Sequence, residues 1–171
     1  MIRAALCLSL PMVLAACAGA PPRPYVPPNS APEPNAAESR PSLPQAQDER
    51  AIMIRLATSM LGQPYRFGGA APGGFDCSGL VVYAAGGAGI RMPRTAQEQL
   101  GVGRPVARED LQAGDLIFMH LAHKELHVGI ALDGGRFIHA PSTGGHVRID
   151  SLAAPPYARG FIGARQIVTA P

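Results

Sequence analysis

A chain of 171 residues is long enough for one domain with its own core. Hydrophobic residues make up 47% of it and charged residues only 16%, so most of it can fold. The formal charge is +3, or +2 if Arg3 leaves with a signal peptide, which is too weak and too scattered for a nucleic-acid footprint.

The N-terminus is apolar from Leu6 to Ala16, with Arg3 ahead of it. This run is too short to span a bilayer and reads as the apolar region of a secretory signal over residues 1–16. Leu14-Ala-Ala-Cys17 has the form of a bacterial lipobox, in which small residues precede a cysteine that is lipidated and becomes the new N-terminus. The plainer alternative is an ordinary signal peptide cut nearby, leaving a soluble periplasmic chain. Ala18, not an aspartate, follows the cysteine, which favours the outer membrane. The expectation is an outer-membrane lipoprotein facing the periplasm, held to the membrane through Cys17. The cysteines are Cys7, Cys17 and Cys77. With the first removed and the second acylated, no intrachain disulfide can form, and Cys77 is an odd thiol in an oxidising compartment.

Nine of the 18 prolines fall between Pro21 and Pro44. Residues 17–47 carry few large apolar side chains and cannot bury a core. As an extended linker of about thirty residues at about 3 Å each, they reach up to about 90 Å. Residues 48–171 then form the folded domain. Asp48 to Leu61 reads as an amphipathic helix, with Ile52, Leu56 and Ser59 on one stripe and Met53, Ala57 and Met60 beside it. Gly62 and Pro64 stop it. Gln63 to Gly69 is a loop or a short extended piece.

Asp76-Cys77-Ser78-Gly79 follows a glycine pair and precedes an apolar run. If that run is helical, Asp76 caps it and Cys77 lies in its first turn, where the partial positive charge of the helix end favours the thiolate. Leu80 to Tyr83 is ambiguous: the valines and tyrosine suit a strand, the cap suits a helix. Gly86 to Gly89 ends the element. Thr95 and Glu98 stand at capping-box spacing ahead of a short helix. Strands are expected at Asp115–Met119, Leu126–Leu132, Arg136–Ala140, His146–Asp150 and Phe161–Val168, with Asp133-Gly-Gly135 as a hairpin turn. Helices first and strands later predict an α+β domain with an antiparallel sheet.

Acyl transfer by a thiol needs a nucleophile, a base and donors for the oxyanion. Cys77 is the candidate nucleophile and His127, at the head of a strand, the candidate base. His139 lies on the hairpin partner, where it can hydrogen-bond His127 and set its tautomer. The oxyanion donors are the Cys77 backbone N–H and, as a second candidate, the Tyr65 hydroxyl. Each residue also has a purely structural alternative. Cys77 can be an inert buried thiol, His127 and His139 core histidines, Tyr65 packing and Asp76 only a cap. His120, His123, Glu125 and His127 lie close together, but not in the His-Glu-x-x-His order of a helical zinc site, and Val128 to Leu132 reads as a strand. No metal and no cofactor are expected. Leu121 to Lys124 is read as a polar, basic loop at the cleft rim.

Tyr65-Arg-Phe-Gly-Gly69, Phe75-Asp-Cys-Ser-Gly-Leu-Val81, Pro93-Arg-Thr95, Ala113-Gly-Asp-Leu-Ile-Phe118, His127-Val-Gly-Ile130 and Phe137-Ile-His-Ala140 occur in that order. Together they resemble the NlpC family of papain-like cell-wall cysteine peptidases, from about Asp48 to Ile167. The resemblance implies N-terminal helices that carry the nucleophile on an antiparallel sheet, so Leu80–Tyr83 should be helical. It implies Cys77 as nucleophile, His127 as general base and His139 as the residue orienting it. It also implies Tyr65 at the oxyanion or acyl site, and Asp76 and Ser78 in contact with the substrate peptide. The expected activity is hydrolysis, through a thioester, of amide bonds in murein stem peptides or cross-links next to diaminopimelate. The expected partners are peptidoglycan peptides and the membrane, with the protein a monomer that binds no nucleic acid. The alternative from another class is a catalytically weak murein-binding or scaffold lipoprotein.

Overall fold

The computed structural model describes residues 43–121, 125–142 and 145–167, with side chains from Gln47 onward. The signal peptide, Cys17, most of the Pro-rich linker and the rim residues His123 and Lys124 lie outside the described residues.

Helix α1 spans Leu43–Ser59. It begins five residues before the expected Asp48, because Pro44 is tolerated in a first turn and Gln45 to Gln47 are good helix formers. It ends before Leu61: Met60 and Leu61 close tight turns onto the Ala57 and Thr58 carbonyls, and Gly62 takes a φ of 82°. Met53 and Ala57, expected beside the stripe, are fully buried, whereas Ile52 and Leu56 of the stripe are only partly buried and Ser59 is exposed, so the buried face is centred one residue further along.

A small hairpin, β1 (Ala70–Ala71) with β2 (Gly74–Phe75), leads into α2 (Cys77–Gly87). The segment before the hairpin is laced to residues 145–147, which lead into the strand Arg148–Ser151. Gly62 N–H donates to the Val147 carbonyl (2.9 Å), Val147 N–H to Gln63 (2.8 Å), and Tyr65 N–H to Gly145 (2.8 Å). Tyr65 is fixed this way before the cysteine is reached.

Leu80 to Tyr83 is helical. Its β-branched residues are outweighed by the Asp76 cap and by burial of Leu80, Val81, Ala84 and Ala85 in the core. Helix α3 (Ala96–Gln99) carries the predicted capping box between Thr95 and Glu98.

The main sheet comprises β3 (Arg104–Val106), β4 (Leu116–His120), β5 (Leu126–Ala131), β6 (Arg136–His139), β7 (Arg148–Ser151) and β8 (Phe161–Gln166). Its order is β3-β8-β4-β5-β6-β7, with every neighbouring pair antiparallel. Strand β3, a 3₁₀ turn at Arg108–Asp110 and helix α4 (Pro155–Gly160) were not expected from the sequence.

Both faces of the sheet are covered. Leu116, Phe118, Val128, Ile130 and Ile138 pack with α1 and α2. Ile117, Met119, Ala131, Phe137 and Ala164 pack with Leu152 and with Tyr157 of α4. That is why β4 reads as a continuous apolar run and does not alternate. Each large apolar side chain buried there contributes about 1.5–3 kcal/mol. Arg50 of α1 pairs with Asp115 at the head of β4, whose carboxylate also accepts from the Gln112 amide (2.9 Å). This pair staples the first helix to the sheet.

Candidate active site

Asp76 has the extended backbone of a cap residue (φ −92°, ψ 176°), and its Oδ1 accepts from Gly79 N–H at 2.6 Å. The same carboxylate accepts from Gly68 N–H (2.9 Å) and from Arg94 Nη2 (2.6 Å) and Nη1 (3.0 Å). Ser78 Oγ adds a 3.2 Å bond to it. Burial raises the Asp76 carboxyl, but Arg94 and the two amides outweigh burial and hold it below its ordinary range. Asp76 thus ties the start of α2 to the Tyr65–Gly69 loop. Ser78 is buried and also accepts from Arg94 Nη1 at 3.0 Å. Of these three side chains Arg94 is the most exposed. It belongs to the Pro93-Arg-Thr95 motif, and only the fold brings it to Asp76, 18 residues away.

Gly79 is required by a close approach. A Cβ there would overlap the Gly69 carbonyl oxygen, so only glycine lets the helix end sit against the loop.

Cys77 is the first residue of α2 and is partly buried. Burial pushes its thiol above the ordinary value; the amides of Val128, Ser78 and Cys77 itself act against that, and the Asp76 charge adds to it. The expectation that the helix end would favour a thiolate is therefore not met. Desolvation and an adjacent carboxylate outweigh the local amides. The influence of the Val128 N–H on the thiol places Cys77 near the start of β5, one residue from His127.

His127 Nε2 and His139 Nδ1 are 2.8 Å apart, with the rings nearly perpendicular at 86°. His127 is buried and His139 fully so. Burial, with His139 beside it, drives His127 down to about 3, and burial also lowers His139 against the opposing pull of Asp150. At neutral pH both rings and the thiol are uncharged. Beyond His139, its Nε2 lies 2.9 Å from Asp150 Oδ2. Sequence reasoning missed Asp150, because only the β6–β7 register brings it there. Tyr65 is also near the thiol. Its hydroxyl is raised by burial first, then by the charges of Cys77, Asp76 and Glu125, which places it within electrostatic reach of the sulfur. Phe67, at the tip of the same loop, is 90% exposed. Among the described residues, no cluster of His, Cys, Asp or Glu is arranged to hold a metal ion.

Gly129 makes the histidine pair possible. A Cβ at that position would come within 2.6 Å of the Phe137 ring and 3.3 Å of the His139 Cβ. Gly129→Ala is expected to displace His139 and to lower kcat/KM by about 10–100-fold, because small misplacements in a catalytic array cost that much. Steady-state kinetics beside a thermal melt would check it; a folded variant with unchanged kcat/KM would refute the spacing role.

A cysteine opening a buried helix, packed on an antiparallel sheet that carries a hydrogen-bonded histidine pair, is the arrangement of the papain-like fold. The chain belongs to the NlpC/P60 family, whose model matches residues 62–166. It is 44% identical over 124 residues to the probable endopeptidase YafL of Escherichia coli, covering 69% of this chain and 50% of that one. It is 38% identical over 131 residues to the murein DD-endopeptidase MepH of the same organism, covering 73% of this chain and 48% of that protein. The chain thus spans about half the length of these two relatives. Among solved structures, the peptidoglycan hydrolase RipB of Mycobacterium tuberculosis superposes with a TM-score of 0.65 at 30% identity. That match covers 77% of this chain and 71% of RipB.

Proposed function

We propose that this chain is a lipid-anchored peptidoglycan endopeptidase with a cysteine nucleophile, acting on murein stem peptides or cross-links next to diaminopimelate. The observation that carries the reading is the hydrogen-bonded His127–His139 pair on this family's fold, with the Cys77 thiol set against Val128, the neighbour of His127. The names of MepH and RipB support the substrate class. MepH's name puts the D,D cross-link first among the candidate bonds. The Leu14-Ala-Ala-Cys17 sequence supports the anchor and, with Ala18, the outer membrane facing the murein.

In this reading the Cys77 S–H proton passes to His127 Nδ1, the nitrogen left once Nε2 is engaged by His139. The sulfur attacks the amide carbon, and the carbonyl electron pair moves onto oxygen. The Cys77 N–H and the Tyr65 hydroxyl donate to that oxyanion. When the tetrahedral species collapses, the C–N bond breaks and the His127 proton goes to the leaving amine. Water then attacks the thioester with His127 as base, which releases the acid and restores the thiol. His139 orients His127. Tyr65, Asp76 and Ser78 frame the substrate end of the cleft, with Arg94 the cation there.

Mass spectrometry of products from purified murein peptides and sacculi tests this. Untreated protein is expected to yield new termini at a diaminopimelate-linked bond, whose mass names the bond. Protein with an alkylated thiol is expected to yield none. Thiol-independent products, or none from either sample, would overturn the reading. The same measurement on protein recovered from cells is expected to find acyl chains on Cys17, and an unacylated N-terminus would remove the anchor.

A further inference from the structure

The histidine pair does not end at His139. Strand β7 is the outer strand of the sheet, and its register sets Arg148 opposite His139 and Asp150 opposite Phe137. Asp150 Oδ2 collects three donors: His139 Nε2 at 2.9 Å, Arg148 Nε at 2.8 Å and Tyr157 Oη at 2.6 Å. Tyr157 is itself held, edge-on to Phe137 at 5.0 Å and to His139 at 5.4 Å. Burial raises the Asp150 carboxyl, but the Tyr157, Arg148 and His139 bonds outweigh it and hold it at about 2.

An ionised carboxylate only accepts hydrogen bonds. His139 Nε2 must therefore carry a proton. Burial keeps that ring neutral, so its Nδ1 is bare and must accept. The atom 2.8 Å from it, His127 Nε2, must then donate. A neutral His127 that is protonated at Nε2 has its lone pair at Nδ1, the nitrogen left for the thiol. The charge at the edge of the sheet thus dictates, through two rings, where the base keeps its lone pair.

We propose that Asp150, held by Arg148 and Tyr157, is a positioning residue that fixes His139 and His127 in the tautomers needed for His127 to take the Cys77 proton. Only one proton moves in the step, from Sγ to His127 Nδ1. His139 stays neutral, accepts from the His127 imidazolium and faces an Asp150 that remains ionised. The groups around His139 are His127 from β5, Phe137 from its own strand, Arg148 and Asp150 from β7, and Tyr157 from α4. Arg148 is already paired with the carboxylate, and its charge disfavours a second proton on His139. The kinetic consequence rests on the proposed peptidase reading, whereas the tautomers do not.

The test is nitrogen-15 NMR of the histidine side chains in the full chain at neutral pH. Protonated Nε2 and bare Nδ1 are expected on both His127 and His139. An Nδ1–H tautomer or a doubly protonated ring at either position would overturn the proposal. Asp150→Asn keeps an oxygen for the three donors and removes the charge. It is expected to lower kcat/KM by about 10–100-fold, less than the ~10⁴-fold seen when a carboxylate bonded directly to a catalytic base is changed to its amide. It is also expected to bring an Nδ1–H signal into the His139 spectrum. A folded Asp150→Asn with unchanged rate and unchanged tautomers would overturn the proposal. Wild-type protein with the expected tautomers but no turnover would count against the peptidase reading and leave this inference standing.

Discussion

Cys77→Ala is expected to reduce product release from murein peptides to background, and His127→Ala to cost about 10⁴-fold or more in kcat/KM. The double variant should be no worse than Cys77→Ala, because the two groups act as a unit. The size follows from the resting state. Burial keeps the thiol protonated and the imidazole neutral, so no thiolate stands ready to react without the base. Each attack on the amide must be accompanied by proton transfer, and deleting His127 removes the only acceptor proposed for that proton. The same protonation argument predicts that alkylation of Cys77 accelerates as pH rises. The fold should survive both changes. Cys77 is only partly buried, and the Asp76 cap that starts α2 uses the Gly79 amide and not the thiol. Rates measured by product chromatography, beside circular dichroism of each variant, decide the matter. A folded Cys77→Ala protein that still releases peptides would end the cysteine mechanism.

Features carried by short-range chemistry were legible in the sequence. The Asp76 cap, the Thr95–Glu98 capping box and the turn from Asp133 into β6 appear where their residue types require them. Strand positions were legible to within a residue or two, since apolar runs ended at recognisable turns. Features set by tertiary context were not. Val81 to Tyr83 has strand-forming side chains and becomes helical because burial of that helix in the core adds to the Asp76 cap. Asp150 was visible as the end of an alternating stretch, but register, not spacing, brings it to His139. Arg94 lies 18 residues from Asp76 and meets it through the fold. The thiol's protonation state was misread for a related reason: the helix end is a local feature, whereas the burial that outweighs it comes from the whole domain.

The neutral histidine pair also makes a prediction about stability. His127 falls from an ordinary value near 6.5 to about 3 on folding. Below about pH 6.5 the unfolded chain takes a proton on this ring that the folded chain refuses, so acid favours unfolding. The contribution is fully present above the unfolded value and is lost as pH falls towards about 3. Between about pH 7.5 and about pH 5 the loss from His127 alone is about 2 kcal/mol. His139, also lowered by burial, acts in the same direction. Asp150 loses its contribution only below the ordinary carboxylate range, outside this window. Asp115 acts with the opposite sign, because burial raises its carboxyl. Urea denaturation at the two pH values should therefore show wild type losing about 2 kcal/mol more than His127→Gln, whose side chain does not titrate. The comparison is between slopes, so a uniform loss of stability in the variant does not disturb it. Equal slopes would mean that the ring titrates in the folded chain as it does in the unfolded one, and would refute the effect of burial on it. A preformed thiolate–imidazolium pair holds the same number of protons as the neutral pair, so thiol alkylation tells the two apart: its rate would be flat across the same window for the ion pair and rises with pH for the neutral one.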